Sequence, residues 1–459
     1  SPPELRAVVE ESDCVLLVGE RISEFVPADQ VVRKILTVKV TVNAQNPMFG
    51  LDPQARLDYG YQAVEKLTPM AKALIGVAYG KAPDRSYIGG CSNGGRHAMV
   101  AASRYGNDYD GYLVGAPGYR LPNAALAQLW AGPLWLSLAT KDATLAHPFI
   151  PSARIADLGT GFTAQERATV ANAVLDKCDA LDGAKDGLVQ DVAACQAAFN
   201  VMRDVPNCNG DTRTGQCLTI DQKRVLSLVQ AGAKTPSGQS IYNQFPYDTG
   251  IATANWAQWK FVESQTRDPA AGSIFMSPAR PVTPFKVDVE DGFKSIYATT
   301  DLFTQSADSM ISAGVKDKPE LMLALRNRGA KMLMYHGVSD AIFSETDTRA
   351  FINFVNNAAA GKAADFVRHF PVPGMNHCSG GTSTDQFDAL TPLVNWVEKG
   401  ITPQAIPAVA RGAGNAGGTN ADLPKDWSAN RSRPLCAYPT VARYKGAGSL
   451  EDATSFSCQ

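Results

Sequence analysis

The sequence predicts an α/β protein whose core is interrupted by a long inserted segment. A strand signal at 86–89 precedes a glycine-rich turn and helix-forming residues from Arg96 to Arg104, and this order is the repeating unit of α/β proteins. The same alternation resumes after about residue 325. Between these regions Trp, Pro, Asn and Gly become frequent, and four cysteines occur. We therefore expect core regions over 1–121 and 325–459, and an inserted domain over 122–324.

Hydrophobic periodicity predicts the elements of the two core regions. Before the glycine-rich turn, a β-branched run at Val38–Val42 predicts a strand, and helical spacing of apolar residues predicts a helix over Leu57–Ala78. The second core region is predicted to contain, in order, a strand at 331–335, a helix at 348–358, a strand at 366–370 and a helix at 390–399. Residues 412–420 are rich in Gly and Asn, which is typical of a loop.

Composition and charge exclude several classes of protein. Of the 459 residues, 45% are hydrophobic and 19% are charged, which is enough apolar material for a sizeable core and excludes global disorder. The net charge of −2 argues against a nucleic-acid-binding protein, which needs a basic surface. No stretch approaches 18 consecutive apolar residues, so we expect no membrane contact.

Nine cysteines favour disulfides and an oxidising compartment. Three pairs lie close in sequence, namely Cys178 with Cys195, Cys208 with Cys217, and Cys436 with Cys458. The alternative is a set of buried free thiols in a cytosolic enzyme. A zinc site is not indicated, because the sequence has no Cys-x-x-Cys and only five histidines. A chain that starts Ser1-Pro2-Pro3 without a signal peptide is interpreted as a mature or trimmed product of a secreted or periplasmic protein.

The strongest catalytic signal is Gly90-Cys91-Ser92-Asn93-Gly94. It matches Gly-x-Ser-x-Gly, the nucleophile elbow of α/β-hydrolases, and it lies between a predicted strand and a predicted helix. We expect Ser92 to be the nucleophile and the backbone N–H of Asn93 to face the developing oxyanion. The alternative is a purely structural glycine turn.

An acid and a histidine follow in the order that this architecture requires. Asp340 comes after the 331–335 strand, and His377 comes after the 366–370 strand. We expect His377 to accept the Ser92 proton and Asp340 to orient the imidazole. A helix-capping Asp and a loop His are the alternatives. Cys91 precedes Ser92 and Cys378 follows His377, so contact between Ser92 and His377 brings the two sulfurs together.

The segment from Cys178 to Leu188 carries carboxylates at Asp179, Asp182 and Asp186. Oxygen ligands at such spacing suit calcium, with backbone carbonyls completing the shell. The segment does not have the spacing of an EF-hand. From spacing alone, a calcium loop and a solvated Asp-Gly turn both stay open.

Three motifs resemble the tannase and feruloyl esterase family, which also includes hydrolases of terephthalate mono-esters. They are SYIGGCSNGGR at 86–96, YHGVSD at 335–340 and PGMNHC at 373–378. The resemblance extends through 105–117, through 395–400 and through the tail from Arg433. It implies an α/β-hydrolase core with an inserted lid, and a secreted esterase of aromatic carboxylic acids acting on a small-molecule ester.

The resemblance also implies functional residues. It gives a catalytic Ser92, Asp340 and His377 and a Cys91–Cys378 bridge. It further implies a structural Ca²⁺ held by the side chains of Asp179, Asp182 and Asp186 and by the carbonyls of Ala184 and Leu188.

One departure from the family pattern concerns the oxyanion hole. Family members carry a Gly-rich loop before the nucleophile that donates a second N–H, and apart from Gly89-Gly90 of the elbow itself no Gly-Gly run occurs among the 91 residues before Ser92. Gly50 is the nearest substitute, and Cys14 has no evident partner. The departure supports an alternative of another class, a catalytically impaired hydrolase-fold binding protein.

Candidates for substrate contact lie in the inserted segment and beside Asp340. Aromatic stacking residues are needed for an aromatic acyl group, and ordinary core packing is the alternative for at least half of them. Arg267 is a candidate partner for a substrate carboxylate, with a surface arginine as the alternative. The aromatic and imidazole candidates are Trp256, Trp259, Phe275, His336 and Phe343.

Overall fold

A computed structural model describes residues 15–17, 47–267, 269, 271–312 and 320–459. The expected strand at 38–42 and Cys14 lie outside these residues. The strands of the described residues are β1 Val15–Leu17, β2 Tyr87–Cys91, β3 Gly111–Gly115, β4 Thr144–Ala146, β5 Arg154–Ala156, β6 Lys331–Gly337, β7 Val367–Val372, β8 Gln386–Phe387, β9 Ala405–Val409, β10 Ser432–Cys436, β11 Ala442–Tyr444 and β12 Phe456–Cys458. The central feature is a parallel sheet of five of them in the order β1-β2-β3-β6-β7.

Helices pack against this sheet and are the main regular elements of the described part of the inserted segment. The α-helices are α1 Pro53–Leu57, α2 Ala63–Tyr79, α3 Asn93–Arg104, α4 Leu121–Leu136, α5 Ala164–Cys178, α6 Val192–Ala198, α7 Val201–Asp204, α8 Ile220–Gln230, α9 Ala254–Ala257, α10 Ser264–Thr266, α11 Ala271–Phe275, α12 Val289–Tyr297, α13 Ala307–Ile311, α14 Glu320–Arg328, α15 Glu345–Ala358 and α16 Leu390–Lys399. The 3₁₀ turns are Pro47–Leu51, Leu158–Gly161, Asp179–Asp182, Thr249–Ala252, Ala363–Asp365 and Ala453–Ser455, and the π-helical turns are Asp58–Gln62 and Gln258–Glu263.

The predicted core elements are present with shifted ends. The predicted helix over 57–78 is one helical run from Pro53 to Tyr79, widened by the π-helical turn Asp58–Gln62 and ended by Gly80 in the left-handed conformation. The helix predicted from 348 begins at Glu345, because the Ser344 side chain caps it. The strand predicted at 331–335 continues to Gly337, and the strand predicted at 366–370 runs from Val367 to Val372.

The sheet is continuous across the inserted segment. The chain leaves β3 at Gly115 and returns at Lys331 to pair β6 directly beside β3, with Gly111 opposite Lys331 and Gly115 opposite Tyr335. The segment between them has its own apolar cluster, which includes Trp135, Phe162 and Trp256. The division into 1–121, 122–324 and 325–459, and the role of the middle part as a lid, stay predictions.

The carboxyl ends of β2, β6 and β7 lie at the same edge of the sheet, because neighbouring strands are parallel. The elbow follows β2, and the loops with Asp340 and His377 follow β6 and β7. No helix among the described residues is long and apolar enough to cross a membrane.

Candidate active site

Ser92 stands at the sharp turn between β2 and α3. Its backbone has φ 62° and ψ −120°, a conformation that residues other than glycine rarely adopt. The turn is held against β3 by a hydrogen bond, which the Ser92 N–H donates to Gly115 O at 3.0 Å. Gly95 is required for this packing, because a Cβ there would lie 2.3 Å from Gly115 O. The strained turn holds the serine at the sheet edge.

The structure brings Ser92, His377 and Asp340 into one hydrogen-bonded series. His377 Nε2 lies 2.8 Å from Ser92 Oγ, and His377 Nδ1 lies 2.7 Å from Asp340 Oδ2. Because Nδ1 faces a carboxylate it carries the hydrogen, which leaves Nε2 to accept the proton of the serine hydroxyl. The arrangement can therefore deprotonate Ser92 as it attacks an electrophile.

Asp340 is buried and held as an anion. Burial alone raises its pKa, but the charges of His377 and His336 and hydrogen bonds from both rings outweigh that effect and hold the pKa well below its ordinary value. The second oxygen, Oδ1, accepts from the N–H groups of Ile342 at 2.9 Å and Phe343 at 3.0 Å. The carboxylate is thus fixed in place by its own loop.

His336 lies behind Asp340, and this corrects the expectation that it lines the pocket. Its side chain is wholly buried, so it offers no surface to a ligand. Its Nε2 lies 3.3 Å from Asp340 Oδ2 and 3.0 Å from Phe343 O, and its Nδ1 lies 2.8 Å from Thr348 Oγ1. Sequence reasoning missed this role, although the four-residue spacing to Asp340 was visible.

Four disulfides join the described cysteines. Cys91 is bonded to Cys378 across 287 residues of sequence, immediately beside Ser92 and His377. The three local pairs are Cys178–Cys195, Cys208–Cys217 and Cys436–Cys458. The alternative of free thiols is therefore wrong for these eight residues.

Of the two candidate oxyanion donors, Asn93 and Gly50, Asn93 lies directly after Ser92. Asn93 is the first residue of α3, so its N–H lies at a helix N-terminus, where negative charge is stabilised. Its side-chain oxygen accepts from Arg96 Nε at 2.8 Å. Gly50 packs against the backbone of Ser273, where a Cβ would lie 2.3 Å from the carbonyl oxygen. Its contact with α11 makes it a packing glycine, and the second donor has no assignment.

Two of the aromatic candidates border His377. The ring centroids of Trp259 and Phe343 lie 5.1 Å and 5.4 Å from that of the imidazole, both edge-on. The guanidinium of Arg267 lies 5.1 Å from the Trp259 ring and pairs with Glu263 at 3.2 Å. Two aromatic rings therefore border the histidine, and a cation lies over one of them.

Trp256 and Phe275 require correction. Trp256 is 3% exposed and packs against Trp135 in the apolar cluster of the inserted segment. Phe275 is 7% exposed and packs against Tyr59. Both rings are core residues, because their faces are covered by other apolar side chains.

The acidic loop carries more negative than positive charge. Asp179, Asp182 and Asp186 are all buried, and among the described residues the one ion pair of this group joins Asp186 to Arg433. Burial, together with the charges of the other two carboxylates, raises the pKa of Asp182 to about 7. Asp182 Oδ2 has no hydrogen-bond partner in the part of the chain that the structure describes. Within the described ranges, no group of three or more His, Cys, Asp or Glu side chains is arranged to hold a metal by itself.

A further set of buried polar residues surrounds the loops that carry Asp340 and His377 and was missed from sequence. Ser339 precedes Asp340 and Asn376 precedes His377, and that adjacency was the only available signal for them. Asp248 contacts both loops from the inserted segment. Nothing in its local sequence distinguishes it from an ordinary turn aspartate.

Comparison with known proteins places this site in a family. The family described as "Tannase and feruloyl esterase" matches residues 40–459. The chain is 37% identical to mono(2-hydroxyethyl) terephthalate hydrolase of Piscinibacter sakaiensis, over 89% of this chain and 69% of that protein. It is 29% identical to a probable feruloyl esterase of Arthroderma benhamiae, over 87% of this chain and 68% of that protein.

Solved structures agree on the fold. Feruloyl esterase B from Aspergillus oryzae superimposes with a TM-score of 0.65 at 22% identity, over 97% of this chain and 84% of that one. Tannin acyl hydrolase from Aspergillus niger gives a TM-score of 0.65 at 17% identity, over 97% and 80% of the two chains. With the sequence match over most of its length, the chain belongs to the tannase and feruloyl esterase family.

Proposed function

We propose that the protein is a secreted serine esterase that hydrolyses esters of aromatic carboxylic acids through an acyl-enzyme intermediate. The observation that carries the proposal is the hydrogen-bonded series from Ser92 through His377 to Asp340. Family membership supports the same reaction, since the matched relatives named above are ester hydrolases.

Acylation begins when Ser92 Oγ attacks the ester carbonyl and its proton passes to His377 Nε2. Asp340 stabilises the imidazolium that forms, because it is a buried anion hydrogen-bonded to Nδ1. The Asn93 N–H donates to the oxyanion of the tetrahedral intermediate. Collapse of this intermediate releases the alcohol, which takes its proton from His377. Water then repeats the sequence and frees Ser92 and the acid.

The acyl group is proposed to bind beside His377, against Trp259. The Trp259 ring stands edge-on to the imidazole and is half-buried, so its remaining surface is available to an aromatic ring next to the reacting carbonyl. Phe343 is 5% exposed and packs against Gly118, so it contacts the imidazole as a core residue. Binding against Trp259 favours aromatic over aliphatic acyl groups.

Secretion is proposed from the cysteines. Four disulfides are stable in an oxidising compartment and are rare in the cytosol. One of them joins the residues next to Ser92 and His377, so the reducing conditions of the cytosol would act directly on the site.

The test is hydrolysis of methyl ferulate, methyl gallate and a terephthalate mono-ester by the wild type and Ser92→Ala. We expect turnover of at least one ester, loss of about 10³-fold or more in the variant, and labelling of the wild type at Ser92 by a serine-directed phosphonate. A folded wild type that neither turns over nor labels would favour the impaired binding protein instead.

A second candidate is a terephthalate mono-ester hydrolase. Arg267 favours it, since its guanidinium lies over Trp259, which itself contacts His377. A terephthalate mono-ester carries a carboxylate on the side of the ring opposite the ester, where a cation would stabilise it. The 37% identity to a mono(2-hydroxyethyl) terephthalate hydrolase agrees with this specificity.

Arg267→Gln separates the two candidates. For a terephthalate mono-ester hydrolase, we expect KM for the mono-ester to rise about tenfold or more, in line with the loss of a charged hydrogen bond, while KM for uncharged methyl ferulate stays unchanged. Arg224→Gln is the matched control, because Arg224 is exposed on α8 and pairs only with Asp221. Equal effects on both esters would contradict the carboxylate role.

Calcium is proposed to bind the acidic loop as a structural ion. The residues fit a cation, since three carboxylates are buried in one loop, only that of Asp186 forms an ion pair among the described residues, and Asp182 Oδ2 has no hydrogen-bond partner among them. Asp179, Asp182 and Asp186 would hold the ion with the carbonyls of Ala184 and Leu188. When bound, calcium would supply positive charge to the loop and no step of the ester hydrolysis.

A further inference from the structure

A buried carboxylate of the inserted segment lies between the loops that carry Asp340 and His377. Asp248 is 1% exposed. Its Oδ2 accepts from the hydroxyl of Ser339 at 2.9 Å and from the N–H of Gly374 at 2.7 Å. Ser339 precedes Asp340, and Gly374 lies three residues before His377. One oxygen atom therefore joins the two loops.

A second set of bonds connects the same three segments. The Gly250 N–H donates to Ser339 Oγ at 3.0 Å. Asn376, which precedes His377, donates through Nδ2 to Gly250 O and to Ser339 O, both at 3.3 Å. Thr253 donates through its hydroxyl to Asn376 Oδ1 at 3.0 Å. The residue before Asp340 and the residue before His377 are thus each bonded to the inserted segment.

The contact leaves no room for a side chain at residue 250. A Cβ on Gly250 would lie 2.3 Å from the Cβ of Ser339 and 2.7 Å from Nδ2 of Asn376. The backbone of the inserted segment is therefore wedged against both loops at once. Such close approach fixes distances that longer side chains would leave adjustable.

Within the described part of the chain, no Lys, Arg or His forms an ion pair with Asp248, so none of these residues is a counter-ion that would explain its burial. Burial raises its pKa, and hydrogen bonds from Gly374, Thr249 and Ser339 oppose that effect. An unpaired buried carboxylate is costly to stability, and its three donors come from three separate segments. The arrangement is suited to positioning these segments.

We propose that residues 248–253, here called the clamp, set the separation of the Asp340 and His377 loops, with Asp248 as a positioning residue for catalysis. The inference rests on the proposed function, because it assigns these loops to the triad. Its reason is geometric, since the triad residues follow three different strands and their hydrogen bonds of 2.7 Å and 2.8 Å tolerate little displacement.

The test compares Asp248→Asn, Ser339→Ala and Gly250→Ala with the matched control Asp157→Asn. Asp157 also caps a 3₁₀ turn of the inserted segment, Leu158–Gly161, by accepting from Gly159 N. In Asp248→Asn an amide NH2 group replaces one carboxylate oxygen. It faces other N–H or O–H donors and cannot accept a hydrogen bond from them. We expect kcat to fall about 10- to 100-fold in the clamp variants with KM within about threefold of wild type, because displacement by an ångström has effects of this size.

The decisive readouts are the rate of Ser92 phosphonylation at saturating phosphonate and the downfield NMR signal of the His377 Nδ1 proton. Both are measured well below each variant's Tm, so loss of stability alone leaves them unchanged. We expect a slower rate and a shifted signal in clamp variants and wild-type values in Asp157→Asn. Folded clamp variants with wild-type kcat, rate and signal would overturn the proposal.

Two further outcomes are distinguishable. If Asp248→Asn does not fold, Ser339→Ala and Gly250→Ala decide the question, since the first removes only a hydroxyl and the second retains every polar group. If the wild type itself fails to label at Ser92, the proposed function fails. A wild type that labels beside clamp variants that label equally fast contradicts the clamp alone.

Discussion

His336 lies on the far side of Asp340 from His377, so two imidazoles share one carboxylate oxygen. The Nε2 of His336 faces two oxygens, Asp340 Oδ2 and Phe343 O, and therefore carries a hydrogen. The ring therefore joins two residues of one loop, Asp340 and Phe343. Through Thr348 it also joins this loop to α15. The residue stabilises the position of Asp340 without reaching substrate.

We expect His336→Ala to lower kcat by about tenfold, because an unsupported Asp340 orients His377 less well. His336→Gln should recover most of this loss, since its amide N–H occupies the place of Nε2–H. Steady-state kinetics on one ester, with Tm as a check of folding, measure both effects. Equal losses in the two variants would argue that volume, and not the hydrogen bond, matters at this position.

The sequence alone could not decide which of Trp256 and Trp259 packs in the core and which borders His377. Both were candidates for substrate contact, and their three-residue spacing is compatible with one helix face. The π-helical turn Gln258–Glu263 begins between them, and its wider turn changes which residues share a face. Trp256 therefore packs in the core while Trp259 borders His377. Such a turn has no reliable sequence signal.

At the scale of elements, the acidic loop is the segment with the clearest pH dependence. In the folded protein without metal the pKa of Asp182 is about 7, against an ordinary value of 3.8. The folded state therefore binds this proton more tightly than the unfolded state. The resulting stabilisation is complete below the ordinary pKa and is lost as the pH rises through about 7.

We expect the metal-free wild type to lose Tm between about pH 4 and about pH 7 more steeply than Asp182→Asn, which carries no titrating group there. Calcium should raise the Tm of the wild type at pH 8 and have less effect on the variant. Calorimetry after chelation measures both. Asp211→Asn, an exposed aspartate of the inserted segment, is the control.

Chelation is expected to lower Tm more than kcat, because no step of the proposed reaction passes through the loop. Parallel curves of Tm against pH for the wild type and Asp182→Asn, with no response of Tm to calcium, would contradict the proposed calcium site. Turnover abolished at an unchanged Tm would contradict its structural role.

At the scale of the whole molecule, the Cys91–Cys378 bridge links the two ends of the catalytic series over 287 residues. Closing a loop of this length contributes about 2–5 kcal/mol to stability by restricting the unfolded chain. Because the bonded residues adjoin Ser92 and His377, the bridge also constrains the site itself.

Replacing Cys91 and Cys378 together by Ala is expected to lower both Tm and kcat. The control is the same replacement of Cys208 and Cys217, which are nine residues apart in the inserted segment and should affect Tm without changing kcat. Thermal unfolding and steady-state kinetics on both double variants provide the comparison. A kcat unchanged by loss of the first bridge would show that packing alone holds the two residues.

The features that could be predicted from the sequence are those marked by short local motifs. The elbow motif, the order Ser92–Asp340–His377 and the flanking cysteines are short patterns tied to definite chemistry, and the strands around them have clear apolar runs. The clamp was not predictable, because Asp248 meets Gly374 across 126 residues of sequence. Such a contact depends on the completed fold and leaves no trace in local periodicity.

The pairing of β3 with β6 has a consequence for synthesis of the chain on the ribosome. Strand β3 ends at Gly115, and its partner begins only at Lys331. At roughly 5–20 residues per second, about 200 residues of intervening chain take on the order of 10–40 s to emerge. Throughout that interval one side of β3 is an open edge able to pair with another nascent chain. The half-built sheet is therefore exposed to other chains while the inserted segment is synthesised, and we expect expression at a high rate to yield aggregates rather than soluble protein.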